Sequence, residues 1–357
     1  MQQQVSDMKS DIDADDNKTV AQQCMLISLD EAPHPPTDDH QLLLGFHFGD
    51  EPCSPVSEAM VSLQLQPLDR ESQFECWWYK GEVKYSRSGA ARVAECNDYT
   101  VVIVEMEPIG SDGMKAQAHV AYRELIRATR ATKHSRMVKI WNYFGEINSG
   151  EDDTEKYRQF SIGRAAAFEE SGVTDEDAPT GTAIGTKDGS GLKLIALSSN
   201  HAFCPVENPR QVSAFHYPKI YGPKSPKFSR GGFVSLESHK LFLISGTAAV
   251  VGHESNFPYD TALQTDETFK NLGYLCDAIS NLNGVDEPFE LDHQSVLRVY
   301  LRDPEDYQEA VKRIEQHFGI SHQNVAYLHG IICRRELMIE IDGAKMADPG
   351  LSSCSTS

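Results

Sequence analysis

The sequence predicts an α+β fold of two tandem units, each a mixed sheet with helices packed on one face. Strand-like and helix-like patterns follow one another in the same order twice along 357 residues, and the second pass closes on a strand of strict apolar and polar alternation. Between the passes lies a proline-rich stretch, 206–230, with neither period.

In the first pass, 99–104 reads as a strand, and 115–133 as a helix with Ala118, Tyr122, Leu125, Ile126 and Thr129 on one face. The run 137–144 is again strand-like, and a second helix is expected over 157–168. The glycine-rich TGTAIGTKDGSG reads as turns which, with a strand at 192–197, join the halves. In the second pass, 241–251 is a buried strand, followed by a helix over 259–280 presenting Phe269, Leu272, Cys276 and Ile279. A strand at 295–301 leads to Asp303-Pro304-Glu305-Asp306, where Asp303 can cap and Pro304 suits the first helical position. The helix that starts there has Tyr307, Val311, Ile314 and Phe318 as its apolar face. Finally, 336–343 alternates Leu337, Ile339 and Ile341 with Glu336, Met338, Glu340 and Asp342, as a strand with one buried face does.

These elements divide the chain into an N-terminal domain at 41–175, a connecting segment at 176–205 and a C-terminal domain at 206–345. The flanks, 1–40 and 346–357, are expected to be disordered tails, with the apolar patch 24–29 able to dock locally. Residues 1–40 hold nine acidic side chains against two lysines, too little apolar surface to order themselves.

A formal net charge of −20 argues against a nucleic-acid partner, which clustered Lys and Arg would bind. Eight scattered cysteines without a CxxC pair fit free thiols in a reducing compartment. An acidic, polar N-terminus and no apolar run long enough for a bilayer point to a cytoplasmic protein without membrane contact. In so acidic a chain, the run 206–230 stands out: Arg210, Lys219, Lys224, Lys227 and Arg230 alternate with Phe215, Tyr217, Tyr221 and Phe228. Four prolines stiffen it, and such a loop suits the grip of a small anionic ring compound; the plain alternative is a solvated surface connection.

No phosphate-binding, dinucleotide, zinc-protease or serine-hydrolase signature occurs. Glu340 lies on the strand face opposite the apolar residues, where pattern alone reads it as solvent-facing. Cys333 reads as a small buried hydrophobe and His253 and His329 as structural residues, whereas Gly246 inside an apolar strand marks a bulge or a close approach.

The segments SGTAAVVGHES (245–255), QTDETFKNL (264–272), VLRVYLRDPEDY (296–307) and ELMIEIDGA (336–344) resemble the YjgF-like, chorismate mutase-like fold of reactive-intermediate deaminases. A stronger resemblance is to the chorismatases, which build on that fold. It is carried by WNYFGEIN (141–148), YRQFSIGRA (157–165), VENPRQVSAFHYP (206–218), YGPKSPKFSR (221–230) and IICRRELMIEID (331–342). Where that family has an aspartate before the ICR segment, this chain has Ile331.

The resemblance implies cleavage of chorismate's enolpyruvyl ether to pyruvate, with no metal or organic cofactor. It implies Glu340 as the general acid, and Arg210, Arg230 and Arg164 as partners for the substrate's two carboxylates. Tyr217 and Tyr221 would hydrogen-bond the ring hydroxyl or a carboxylate, and the pairing of Gly246 with Cys333 resembles the 3-hydroxybenzoate-forming branch. A branch releasing a dihydroxylated cyclohexadiene, an imine deaminase and a noncatalytic metabolite-binding protein stay open as alternatives. So does assembly, as a monomer or a small homo-oligomer, because a tandem chain can build internally what YjgF-like subunits build between copies.

Overall fold

A computed structural model describes residues 25–53, 57–175, 177–282, 288–318 and 324–347. Three sheets organise the chain. The first takes β1 (Met25–Asp30), β2 (His40–Gly49), β3 (Met60–Leu63) and β4 (Ser72–Lys80) in the order β1-β4-β2-β3. The second takes β5 (Lys84–Ser88), β6 (Ala91–Glu95), β7 (Thr100–Glu105), β8 (Met137–Gly145), β9 (Thr180–Thr186) and β10 (Lys193–Ser198), with helices α1 (Ser111–Arg130) and α2 (Lys156–Glu170). The third takes β11 (Ala202–Val206), β12 (Gly231–Ser235), β13 (Lys240–Thr247), β16 (Ser295–Leu301), β17 (Val325–His329) and β19 (Ile339–Ala347), with helices α3 (Thr261–Ser280) and α4 (Tyr307–Phe318). A small ribbon, β14 (Val250–Val251) with β15 (Glu254–Ser255), follows β13, and β18 (Ile331–Ile332) leaves the third unit to pair with β9.

The expected repeat is present. In the second sheet, β8 and β9 run parallel and α2 makes the crossover; in the third, β16 and β17 run parallel and α4 does so. All five residues assigned to the apolar face of α1 are buried, and they pack over the second sheet with Phe160 and Phe168 of α2. Phe269, Leu272 and Ile279 of α3 join Val311 and Ile314 of α4 over the third. On the opposite faces one core is shared by all three sheets, with Phe46 and Trp77 from the first, Trp141 and Tyr143 from the second, and Leu243 and Tyr300 from the third.

Three expectations change. The 1–40 tail is ordered from Met25: β1 pairs with β4 along its whole length, Met25 is fully buried and Trp78 Nε1 donates to Ser28 Oγ at 3.2 Å. Apolar alternation in 25–29 finds a sheet edge to pair with, which acidity averaged over the tail concealed. Residues 1–24 and 348–357 lie outside the described residues, and Met346 and Ala347 end β19 rather than start a tail. The segment 176–205 is no connector, since β9 and β10 are interior strands of the second sheet and β11 already belongs to the third. Only Gly189, in a turn at φ +81°, is the turn glycine expected; Gly181 lies in β9 and marks close packing, since a Cβ there would stand 2.9 Å from Cβ of Phe228. Asp303 makes no capping bond; Pro304–Asp306 form a 3₁₀ turn before α4.

Gly246 meets its expectation. Ile244 faces Gly343 and Thr247 faces Ile341, so β13 carries one residue more than β19 there, a bulge centred on Ser245 and Gly246. The proline-rich stretch holds only two 3₁₀ turns, Ala214–His216 and Lys219–Tyr221.

Candidate active site

A cavity of about 620 Å³ opens where β9, at the junction of the second sheet, meets the bulge of β13 and the start of β19. Its floor includes Gly246 and Glu340, and α2 contributes Tyr157, Ser161 and Arg164. The proline-rich loop contributes Tyr217, Tyr221 and Arg230, and Cys333 and Arg334 close it from the segment before β19. Seven of the eight residues singled out in the sequence therefore line one space.

Glu340 is 5% exposed, which overturns the solvent-facing reading of its strand pattern. Residues 339 and 341 pack under α3 and α4, so 340 and 342 turn to the opposite side of β19, toward the second sheet instead of water. Burial, and next the charge of Asp342, push its pKa up to about 8, against the opposing pull of Lys139, Arg230 and Arg334. The carboxyl rests directly over the bulge: a Cβ at Gly246 would stand 1.9 Å from Glu340 Oε1. Burial and the neighbouring Glu340 likewise raise the Cys333 thiol to about 12, which keeps it protonated at neutral pH.

Arg164 is 4% exposed, lies 5.1 Å from the Phe160 ring centre, and its Nε and Nη2 have no hydrogen-bond partner. Ser161 Oγ, one turn earlier, is also without one. Arg230 Nη2 donates to Tyr217 Oη at 2.6 Å and to Val212 O at 3.0 Å, leaving Nε unpartnered. Buried donors left unused around one cavity are what an anionic ligand would satisfy. Tyr221 is held by a 3.3 Å contact with His253 Nδ1 and by the Arg334 guanidinium 3.8 Å above its ring centre.

Arg210 is the exception. It donates to Asn271 Oδ1 at 2.7 Å and to Glu267, stacks 5.2 Å from the Tyr274 ring centre, and is absent from the cavity wall. A buried carboxylate on α3 competes for this guanidinium, so it clamps the loop to the helix. Accordingly, Arg210→Ala is expected to lower stability by about 1–3 kcal/mol, because Glu267 loses its strong partner, while KM stays within a few-fold. Thermal melts beside steady-state kinetics check this; a rise in KM with unchanged melting would return Arg210 to the binding site.

Arg334, Tyr157 and Ser161 were not anticipated. Tyr157, Ser161 and Arg164 follow the i, i+4, i+7 spacing of one helix face, a readable signal, and Arg334 sits beside Cys333 in a basic doublet. Among the described residues, no group of three or more His, Cys, Asp or Glu is placed to hold a metal ion, and no helix is long and apolar enough to cross a membrane.

The family profile described as "Chorismatase FkbO/Hyg5-like, N-terminal" matches 75–198. A chorismatase from Streptomyces hygroscopicus is 31% identical over 280 residues, 77% of this chain and 80% of its own. The chain belongs to the chorismatase family. A 3-hydroxybenzoate synthase from the same organism is at nearly equal distance, 29% identical over 279 residues, 76% of this chain and 81% of that protein. A chorismatase crystal structure superposes with a TM-score of 0.81 over 90% of this chain and 98% of its own, at 25% identity. The tandem α+β arrangement is thus the fold of that family, and the cavity is lined by residues of both units.

Proposed function

We propose that this chain cleaves the enolpyruvyl ether of chorismate, releasing pyruvate and 3-hydroxybenzoate, with Glu340 as the general acid. The observation that carries this reading is a buried carboxyl raised to about 8 in the same cavity as the unpartnered donors of Arg164 and Arg230. An acid that keeps its proton near neutrality can protonate the terminal methylene carbon of a vinyl ether, the slow step of its cleavage. The substrate's two carboxylates give the guanidinium groups their partners.

The proton passes from Glu340 to the methylene carbon and makes an oxocarbenium ion. The ring's own 4-hydroxyl oxygen then attacks C3, the bond between C3 and the ether oxygen breaks, pyruvate leaves as the ketone, and the hydroxyl proton returns to Glu340. The ring product rearranges to 3-hydroxybenzoate. Carbon, hydrogen and oxygen balance without water, and Glu340 ends in its starting state. If water captured the oxocarbenium ion, the products would be pyruvate and the dihydroxylated cyclohexadiene.

Incubation with chorismate, followed by assays for pyruvate and by chromatography of the ring product, tests the reading. Pyruvate without an aromatic product would keep the cleavage and overturn the branch; no pyruvate would overturn the activity. Ammonia release from an imine would favour the deaminase alternative. The branch rests on Gly246 and Cys333. A methyl at 246 must displace the Glu340 carboxyl, because flanking residues of β13 and β19 are paired and the side-chain end is what yields. Gly246→Ala is therefore expected to slow turnover and to move the product ratio toward the cyclohexadiene, since about 1.4 kcal/mol changes a ratio tenfold. An unchanged rate and ratio would show that the acid tolerates the methyl.

A further inference from the structure

Below the floor of the cavity lies a cluster of charges that the reaction as written leaves unused. Lys139 of β8 is fully buried, and its Nζ donates to Thr182 Oγ1 at 3.0 Å and to Ile244 O at 2.7 Å. Thr182 Oγ1 in turn donates to Asp342 Oδ2 at 2.6 Å, and two buried cations stand by the same carboxylate, Lys139 Nζ at 3.4 Å and Arg298 Nη1, itself paired with Glu75, at 3.6 Å. Tyr300 Oη donates to Asp342 Oδ1 at 3.2 Å and is linked to Tyr143 Oη at 2.9 Å. Thr182 also lines the cavity, so one side chain touches both the proposed substrate space and the ion pair behind it.

Two features argue that this cluster does more than hold sheets together. Burying an ion pair is weak support for stability, because apolar residues of similar volume often serve as well or better. And Asp342 follows Glu340 by two residues on β19, so both carboxyls project from the same face, Asp342 onto Thr182 of β9 and Glu340 into the cavity that Thr182 also lines. Resting on the reading of Glu340 as the acid, we infer that the Lys139–Thr182–Asp342 cluster is its positioning device, presenting a fixed and balanced charge behind the carboxyl so that it is loaded with its proton during turnover.

The charged and titratable groups facing Glu340 are Asp342 on its own strand, Lys139 on β8, Arg230 before β12, Cys333 and Arg334 before β19, and Tyr157 on α2. Asp342 favours the protonated acid and Lys139 opposes it. Lys139 is itself lowered to about 8 by burial, partly offset by Asp342, so the two titrate together and a pH limb belongs to the pair. Because Glu340 acts in its protonated form, turnover falls as pH rises through that limb. Removing the cation moves the limb up, and removing the anion moves it down.

The experiment is the pH dependence of kcat for Lys139→Met, Asp342→Asn and the double variant, with thermal melts of each. Lys139→Met is expected to move the descending limb about one pH unit upward and Asp342→Asn about one unit downward, with the double variant between them. Limbs that stay in place, or move the same way in both single variants, overturn the inference. Should either buried-charge variant fail to fold, the isosteric Thr182→Val decides. Losing the donor to Asp342 concentrates that charge and is expected to move the limb upward by a fraction of a unit, with Thr182→Ser restoring it; an unmoved limb overturns the inference. Glu340→Gln is run in parallel. If it keeps full turnover, the assignment of the acid fails; if it is inactive while the neighbours leave the limb unmoved, only the cluster's role fails.

Discussion

Glu340→Gln is expected to lower kcat by about 10²- to 10⁴-fold while chorismate binding stays within a few-fold, because the amide keeps the shape of the acid and has no proton to give at neutral pH. The loss should be confined to kcat: the unpartnered guanidinium donors of Arg164 and Arg230, proposed to meet the substrate's charge, are untouched. The same assignment fixes the wild-type pH profile. With the Glu340 pKa at about 8, the carboxyl is mostly protonated at neutrality, and turnover should decline as pH rises through that value. Stopped assays of pyruvate across pH, together with a binding titration of the variant, check both statements. Retained pyruvate release in Glu340→Gln, or a profile that rises through pH 8, would remove Glu340 from the reaction.

Arg164→Ala should raise KM roughly 10- to 150-fold, the worth of a charge-assisted bond of about 1.5–3 kcal/mol, with a smaller change in kcat. Stability is expected to go the other way. Two donors of this nearly buried cation are unspent in the free protein, so deleting it relieves a desolvated charge and should leave the melting temperature unchanged or higher. Chorismate should raise the melting temperature of the wild type more than that of the variant. Arg164→Lys is expected to recover only part of the affinity, since a point charge does not reproduce a planar fork. A variant that melts lower with an unchanged KM would make Arg164 a structural residue.

Helix faces and alternating strands were legible because period and burial agree: every residue assigned to the apolar face of α1 is buried, and Ser295–Leu301 is a strand over the bounds expected. Thr180–Thr186 was hidden because a glycine that admits Phe228 and a glycine in a turn look alike in one dimension. The four-stranded sheet at 25–80 was hidden because its inner face is completed by strands far away in sequence, Trp77 against Trp141 for instance. In the candidate site, residue type identified cations but not their partners. Arg210 and Arg164 are equally plausible anion ligands until the fold gives Glu267 to one and leaves the other two free donors. Burial of Glu340 was likewise invisible, since the second sheet that covers its side of β19 comes from far earlier in the chain, Thr182 lying 160 positions before Asp342.

Because the cavity takes Arg164 from the first unit and Glu340 with Arg230 from the second, the two halves of the site are encoded separately. In a ring of identical subunits, any substitution appears in every copy, so no single site, and no one unit, can change alone. Joining the units in one chain breaks that constraint: α2 can change to suit the ligand's charge while β19 keeps its acid, and neither alteration is copied into the other. The asymmetry is visible in the sequence itself, where the second unit carries the proline-stiffened loop and the first has no counterpart of it.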